Sequence, residues 1–75
     1  MGKKNIVGWR IRRIRIEKGM AVAQLSSALP TSSFLSSEEL IQVELCNRTI
    51  YDHELWAISR VLKVPVSELF EEGGK

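Results

Sequence analysis

Residues 54–70 read ELWAISRVLKVPVSELF. Leu55, Ile58, Val61 and Leu62 recur at the three- and four-residue spacing that lays one apolar stripe along an α-helix. The helix starts near Asp52, whose carboxylate suits an N-cap. It stops by Val64, because the residue before Pro65 is disfavoured in helical conformation. A short fifth helix, VSELFEE at 66–72, follows at once, with Ser67 as its cap. Two helices this short need a larger apolar surface to pack on, and the residues before them supply it.

Upstream, LSSEELIQVELCNR at 35–48 opens with a capping box, in which Ser36 and Glu39 satisfy each other's orphan amides. Leu40 and Val43 face inward along this third helix, and Ile41 falls between the two faces. Asn47 is the expected left-handed terminator. The second helix runs from Ala21 to Leu29 on an inner stripe of Val22, Leu25 and Leu29, and Pro30 stops it. The first runs from Asn5 to Lys18 with Val7, Ile11 and Ile14 inward, and Gly19 ends it. No stretch alternates apolar and polar residues as a strand would. The expected fold is all-α: five short helices around one core over 5–71, with a disordered arm at 1–4 and a flexible tail at 72–75.

Seventy-five residues suffice for one small domain, and a hydrophobic fraction of 44% argues against disorder. The single cysteine, Cys46, excludes an internal disulfide and suits a reducing, cytoplasmic setting. MGKKNIVGWR at the start has neither a secretory pattern nor a membrane-spanning run, and no Ser or Thr stands at residue 6 to complete a myristoylation pattern. Net charge is +2, unevenly spread: residues 1–24 hold seven Lys/Arg against one Glu, and residues 25–75 hold four against eight Asp/Glu. The basic third is either a phosphate-facing surface or a solvated arginine face.

The stretches IRRIRIEKGM (11–20), LIQVELCNR (40–48) and ELWAISRVLKVPVSELF (54–70) resemble, in this order, the Xre-like family of phage Cro and repressor-type helix-turn-helix proteins. IYDHEL at 50–55 is similar to a subgroup with a longer turn before the recognition helix. The resemblance covers about residues 5–71. It implies a five-helix domain whose third helix enters the major groove of double-stranded DNA, and a homodimer on two half-sites acting as a transcriptional regulator. It also implies a buried ion pair between Arg15 and Glu44, whose disruption costs roughly 3–5 kcal/mol. Two departures stand out. The family usually opens helix 2 with Thr-Gln, which holds a phosphate, and this chain has Ala21 and Val22 there. The turn PTSSFLS is longer than usual, and Cys46 replaces the usual glycine after helix 3.

By register, Ser37, Glu38, Gln42 and Ile41 are the groove-facing positions. Gln pairs with adenine, Glu accepts from cytosine N4, and Ser serves either way. Glu39 belongs to the cap, leaving Glu38 to read a base or to discriminate by repulsion. Positive charge has to come from Lys3, Lys4, Arg12 and Arg13, and from Arg48 with Asn47 after helix 3. Arg48 is either a phosphate contact or a solvated cap on the helix 3 C-terminus.

Ile6, Trp9 and Ile16 cluster on the outer side of helix 1. They are covered by the C-terminal segment or by loop 30–36, where Phe34 and Leu35 are the candidates, or they form a partner surface. Trp56 poses the same question. The alternative to DNA binding is a protein-interaction module on a degenerate helix-turn-helix fold. Val22, the acidic start of helix 3 and the apolar patch favour that alternative. An enzyme is not expected: one His and one Cys give no nucleophile–base pair, and no metal-ligand spacing exists. Glu38 and Glu39 are adjacent and point apart. No cofactor and no small-molecule ligand is implied.

Overall fold

The structure, a computed structural model, describes residues 5–70. The expected arm at 1–4 with Lys3 and Lys4, residue 71 and the expected tail at 72–75 lie outside the described residues. Five α-helices follow in order: α1 (Gly8–Glu17), α2 (Val22–Ala28), α3 (Ser37–Glu44), α4 (Asp52–Leu62) and α5 (Val66–Phe70). A 3-10 turn, Thr31–Ser33, interrupts the long connection between α2 and α3. No strand occurs among the described residues, so the domain is all-α as the periodicity required.

One apolar cluster joins all five helices. Ile11, Leu25, Leu40, Ile58 and Leu62 are fully inaccessible within it. Val7, Ile14, Leu29, Val43 and Leu55 fill the spaces between, while Val22 and Val61 pack against its edge. Ile41 lies outside the cluster and is exposed.

α1, α3 and α4 end alike. The chain turns left-handed at Gly19 (φ 68°), Cys46 (φ 63°) and Lys63 (φ 61°). At each end the next amide bonds back five residues: Met20 to Arg15, Asn47 to Gln42 and Val64 to Ser59. This double closure satisfies the last helical carbonyls. The expected terminator Asn47 is therefore displaced by one residue. Cys46 takes the strained conformation, because its short side chain also fills a buried site beside α3.

Three helix starts differ from expectation, each because another group satisfies the amides. α1 begins at Gly8 rather than Asn5, because the Asn5 Oδ1 accepts from the Val7 and Gly8 amides at 3.0 and 2.7 Å. α4 is capped from within: Tyr51 precedes it, and Glu54 Oε1 accepts from the Tyr51 amide at 3.0 Å. Asp52 is its first residue, and its carboxylate accepts from the adjacent His53 amide. Ser67 lies inside α5, since the Pro65 carbonyl accepts from the Glu68 amide and makes Pro65 the flanking residue. The capping box of α3 is present as expected. Glu39 accepts from the Ser36 amide at 2.9 Å, and Ser36 Oγ accepts from the Glu39 amide at 3.1 Å.

Loop 30–36 does not cover the apolar face of α1. Leu35 is buried in the core, and its carbonyl accepts from Ser26 Oγ at 2.7 Å. That anchor turns Phe34 outward to solvent. Ile6, Trp9 and Ile16 stay exposed, at 67%, 43% and 51%.

Candidate nucleic-acid interface

α3 is held against α1 by three devices. The first is backbone on backbone: a Cβ built at Gly8 would overlap the Val43 carbonyl, so only glycine permits this approach. The second is Asn5, whose Nδ2 donates to the carbonyls of Val43 (3.1 Å) and Arg48 (2.8 Å) while its Oδ1 caps α1. The third is the ion pair expected between Arg15 and Glu44. It is bidentate, Nε to Oε2 at 2.8 Å and Nη2 to Oε1 at 3.0 Å. Arg15 Nη1 donates in addition to the Met20 carbonyl at 2.7 Å, so each of the three guanidinium nitrogens makes a hydrogen bond. The Glu44 side chain is 4% exposed. The hydrogen bond from Glu44 holds the Arg15 guanidinium above its ordinary pKa, against desolvation, which lowers it. Arg15's contribution to the pair is therefore in place below the usual arginine range, and is lost as the pH rises through its raised value.

With its inner face clamped, α3 turns a narrow stripe to solvent. Glu38, Ile41, Gln42 and Leu45 lie at i, i+3, i+4 and i+7 and are all exposed. Ser37 is half-buried at its edge, and Glu39 is exposed but occupied by the cap. Asn47 Nδ2 donates to Gln42 Oε1 at 3.4 Å, a long bond that leaves the Gln42 amide free to exchange partners. Glu38, Glu39, Gln42, Asn47 and Arg48 together line one shallow surface depression. Leu45 was not among the expected site residues. Its 58% exposure follows from the helix ending at Glu44, which leaves it as an outward C-cap.

The basic residues do not converge on this stripe. Between residues 21 and 47 the chain has no Lys or Arg. Arg48 is half-buried, donating to the Thr49 carbonyl at 2.9 Å and pairing with the buried Glu54 at 3.3 Å. Its guanidinium is therefore shared with Glu54 rather than left as a solvated cap on α3. Arg13 pairs with Glu17 at 3.7 Å and leans on Trp9, its guanidinium carbon 5.8 Å from the ring centre. Arg12 is exposed and makes no ion pair among the described residues.

Arg10 was not singled out by spacing, yet it is 97% buried by its 3% exposure. Its guanidinium lies 4.5 Å from the centre of the Trp9 ring. Its Nη2 has no hydrogen-bond partner among the described residues. Trp9 thus lies within cation–π distance of two guanidinium groups, the buried Arg10 and the exposed Arg13. On α4, Trp56 is exposed with Arg60 5.1 Å from its ring centre, and His53 is exposed with Nδ1 3.2 Å from Ser33 Oγ. Among the described residues no group of His, Cys, Asp and Glu is placed to hold a metal ion. No helix among them is long and apolar enough to cross a membrane.

No family model matches the chain, and neither a curated protein nor a solved structure matches it.

Proposed function

We propose that this chain is a sequence-specific duplex-DNA-binding module of the repressor type, with α2 and α3 as its helix-turn-helix and α3 in the major groove. The observation that carries the proposal is the α3 stripe. Glu38, Ile41, Gln42 and Leu45 project from a helix clamped to α1 by Gly8, Asn5 and Arg15. A base reader needs such a rigid support with side chains left uncommitted. The resemblance of residues 5–71 to Xre-like proteins supports the same reading. The electrostatics give it a particular character. Without a cation between residues 21 and 47, phosphate attraction comes from Arg12 and Arg13, with Lys3 and Lys4. Non-specific affinity is then low, with a salt slope of about −0.9 per phosphate engaged. Dimer formation through Ile6, Trp9 and Ile16, action as a transcriptional regulator and a cytoplasmic location belong to the same proposal.

A second reading is favoured by one observation: the pairing of Arg48 with Glu54 removes the best-placed cation from the α3 surface. In that reading the domain binds a protein through Trp9 or through Ile41 and Leu45. Selection from a random duplex pool at low salt separates the two. Enrichment of a roughly palindromic site whose affinity falls with salt supports the first reading. Recovery of no duplex overturns it and leaves the second.

A further inference from the structure

The α3 stripe has one set of recognition groups and lacks another. Gln42 carries a carboxamide, with one acceptor and one donor side by side. Adenine presents the complement in the major groove, an N6 donor beside an N7 acceptor. Guanine presents two acceptors, N7 and O6, and is read by paired donors of the Arg or Lys type. Neither α2 nor α3 carries such a residue. Glu38, an acceptor only, repels guanine's acceptor edge but takes the amino group of adenine or of cytosine alike, so it does not choose between the base pairs. Ile41 and Leu45, 43% and 58% exposed and one turn apart, form an apolar ridge beside Gln42. The apolar feature of the major groove is the thymine methyl group.

Resting on the DNA-binding reading above, we propose that the half-site met by α3 is A·T-rich, with Gln42 read against adenine and Ile41 against a thymine methyl. The long Asn47–Gln42 hydrogen bond is the contact given up when adenine takes its place. Ile41 contributes by removing the thymine methyl and its own exposed surface from water, without a polar contact.

The test uses the full chain and three synthetic duplexes at matched low salt: poly(dA-dT), poly(dA-dU) and poly(dG-dC). The dA-dT duplex is expected to bind more tightly than dG-dC by between about fivefold and about a hundredfold, the range for one bidentate base contact. Replacing thymine by uracil removes only the methyl group and is expected to weaken binding about fourfold per methyl contacted. Ile41→Ala is expected to erase the thymine–uracil difference, and Gln42→Ala the preference over dG-dC. Both positions are exposed, so both variants keep the fold, and circular dichroism verifies it. Equal affinity for all three duplexes overturns this inference and leaves the DNA-binding reading standing. Binding to none of them overturns that reading as well.

Discussion

Replacing Glu44 by Ala tests the energetic logic of the domain at its most committed point. The native carboxylate is almost inaccessible and accepts two hydrogen bonds from Arg15, at 2.8 and 3.0 Å. Arg15 is itself 13% exposed in its side chain, so its charge loses most of its hydration on folding. Removing the carboxylate leaves that charge with only the Met20 carbonyl, a penalty of roughly 3–5 kcal/mol. A domain of this length has a total stability of roughly 4–11 kcal/mol. At roughly 4–8 °C per kcal/mol, the expected fall in Tm is at least about 12 °C, and at the lower end of that stability range the variant is close to unfolded at room temperature. Thermal melts followed by circular dichroism measure the shift, and urea midpoints check it. The double variant Arg15→Met with Glu44→Leu removes both charges and is expected to recover most of the loss, because an apolar pair of similar volume needs no hydration. A fall of less than about 4 °C for Glu44→Ala, roughly 1 kcal/mol, would place the pair among surface salt bridges and refute the reasoning.

Other outcomes follow from single contacts. Lys63→Gly relieves a side chain at φ 61° on an exposed turn and is expected to raise stability by about 0.5–1 kcal/mol, read as a higher urea midpoint with unchanged slope. Asn5→Ala removes a cap and strands two carbonyls, for an expected loss of about 2–3 kcal/mol. Asn5→Asp keeps the cap but sets an acceptor against the Val43 and Arg48 carbonyls, and equal stability of this variant and the native chain would contradict the assignment. Glu54→Gln keeps the bond to the Tyr51 amide and releases the charge on Arg48. If the domain binds DNA as proposed, salt titration of this variant should show a slope steeper by about 0.9, the increment for one added phosphate contact.

Local patterns carried the reading where a contact spans three or four residues. The Ser36–Glu39 box, the inner stripe of Val7, Ile11 and Ile14 and the glycine end of α1 all arise within one helical turn. Long-range contacts were legible only where resemblance supplied them, as for Arg15 and Glu44, which are 29 residues apart. Asn5 reads as an ordinary first-turn residue, and nothing nearby reveals that its amide group meets carbonyls 38 and 43 residues away. The Arg48–Glu54 pair was missed because spacing alone does not show that the loop after Cys46 folds back on α4. Asp52 looked like a cap because its side chain suits one, but it is the first helical residue and accepts from the His53 amide, while Glu54 reaches back from inside the helix to the Tyr51 amide and is better buried. Among the candidate site residues, register placed Glu38, Ile41 and Gln42 on the outer face of α3. It did not show that α3 stops early enough to expose Leu45.

Asn5 has a consequence for how the molecule opens. Its side chain ties the first turn of α1 to the carbonyls on either side of the left-handed turn at Cys46. Fraying at the start of α1 and release of the end of α3 are therefore one cooperative event rather than two. The amide protons of Val7 and Gly8 should exchange with solvent at the same free energy as that of Asn47. The rigidity of the α3 surface is set, in part, by a residue that precedes every helix in the fold.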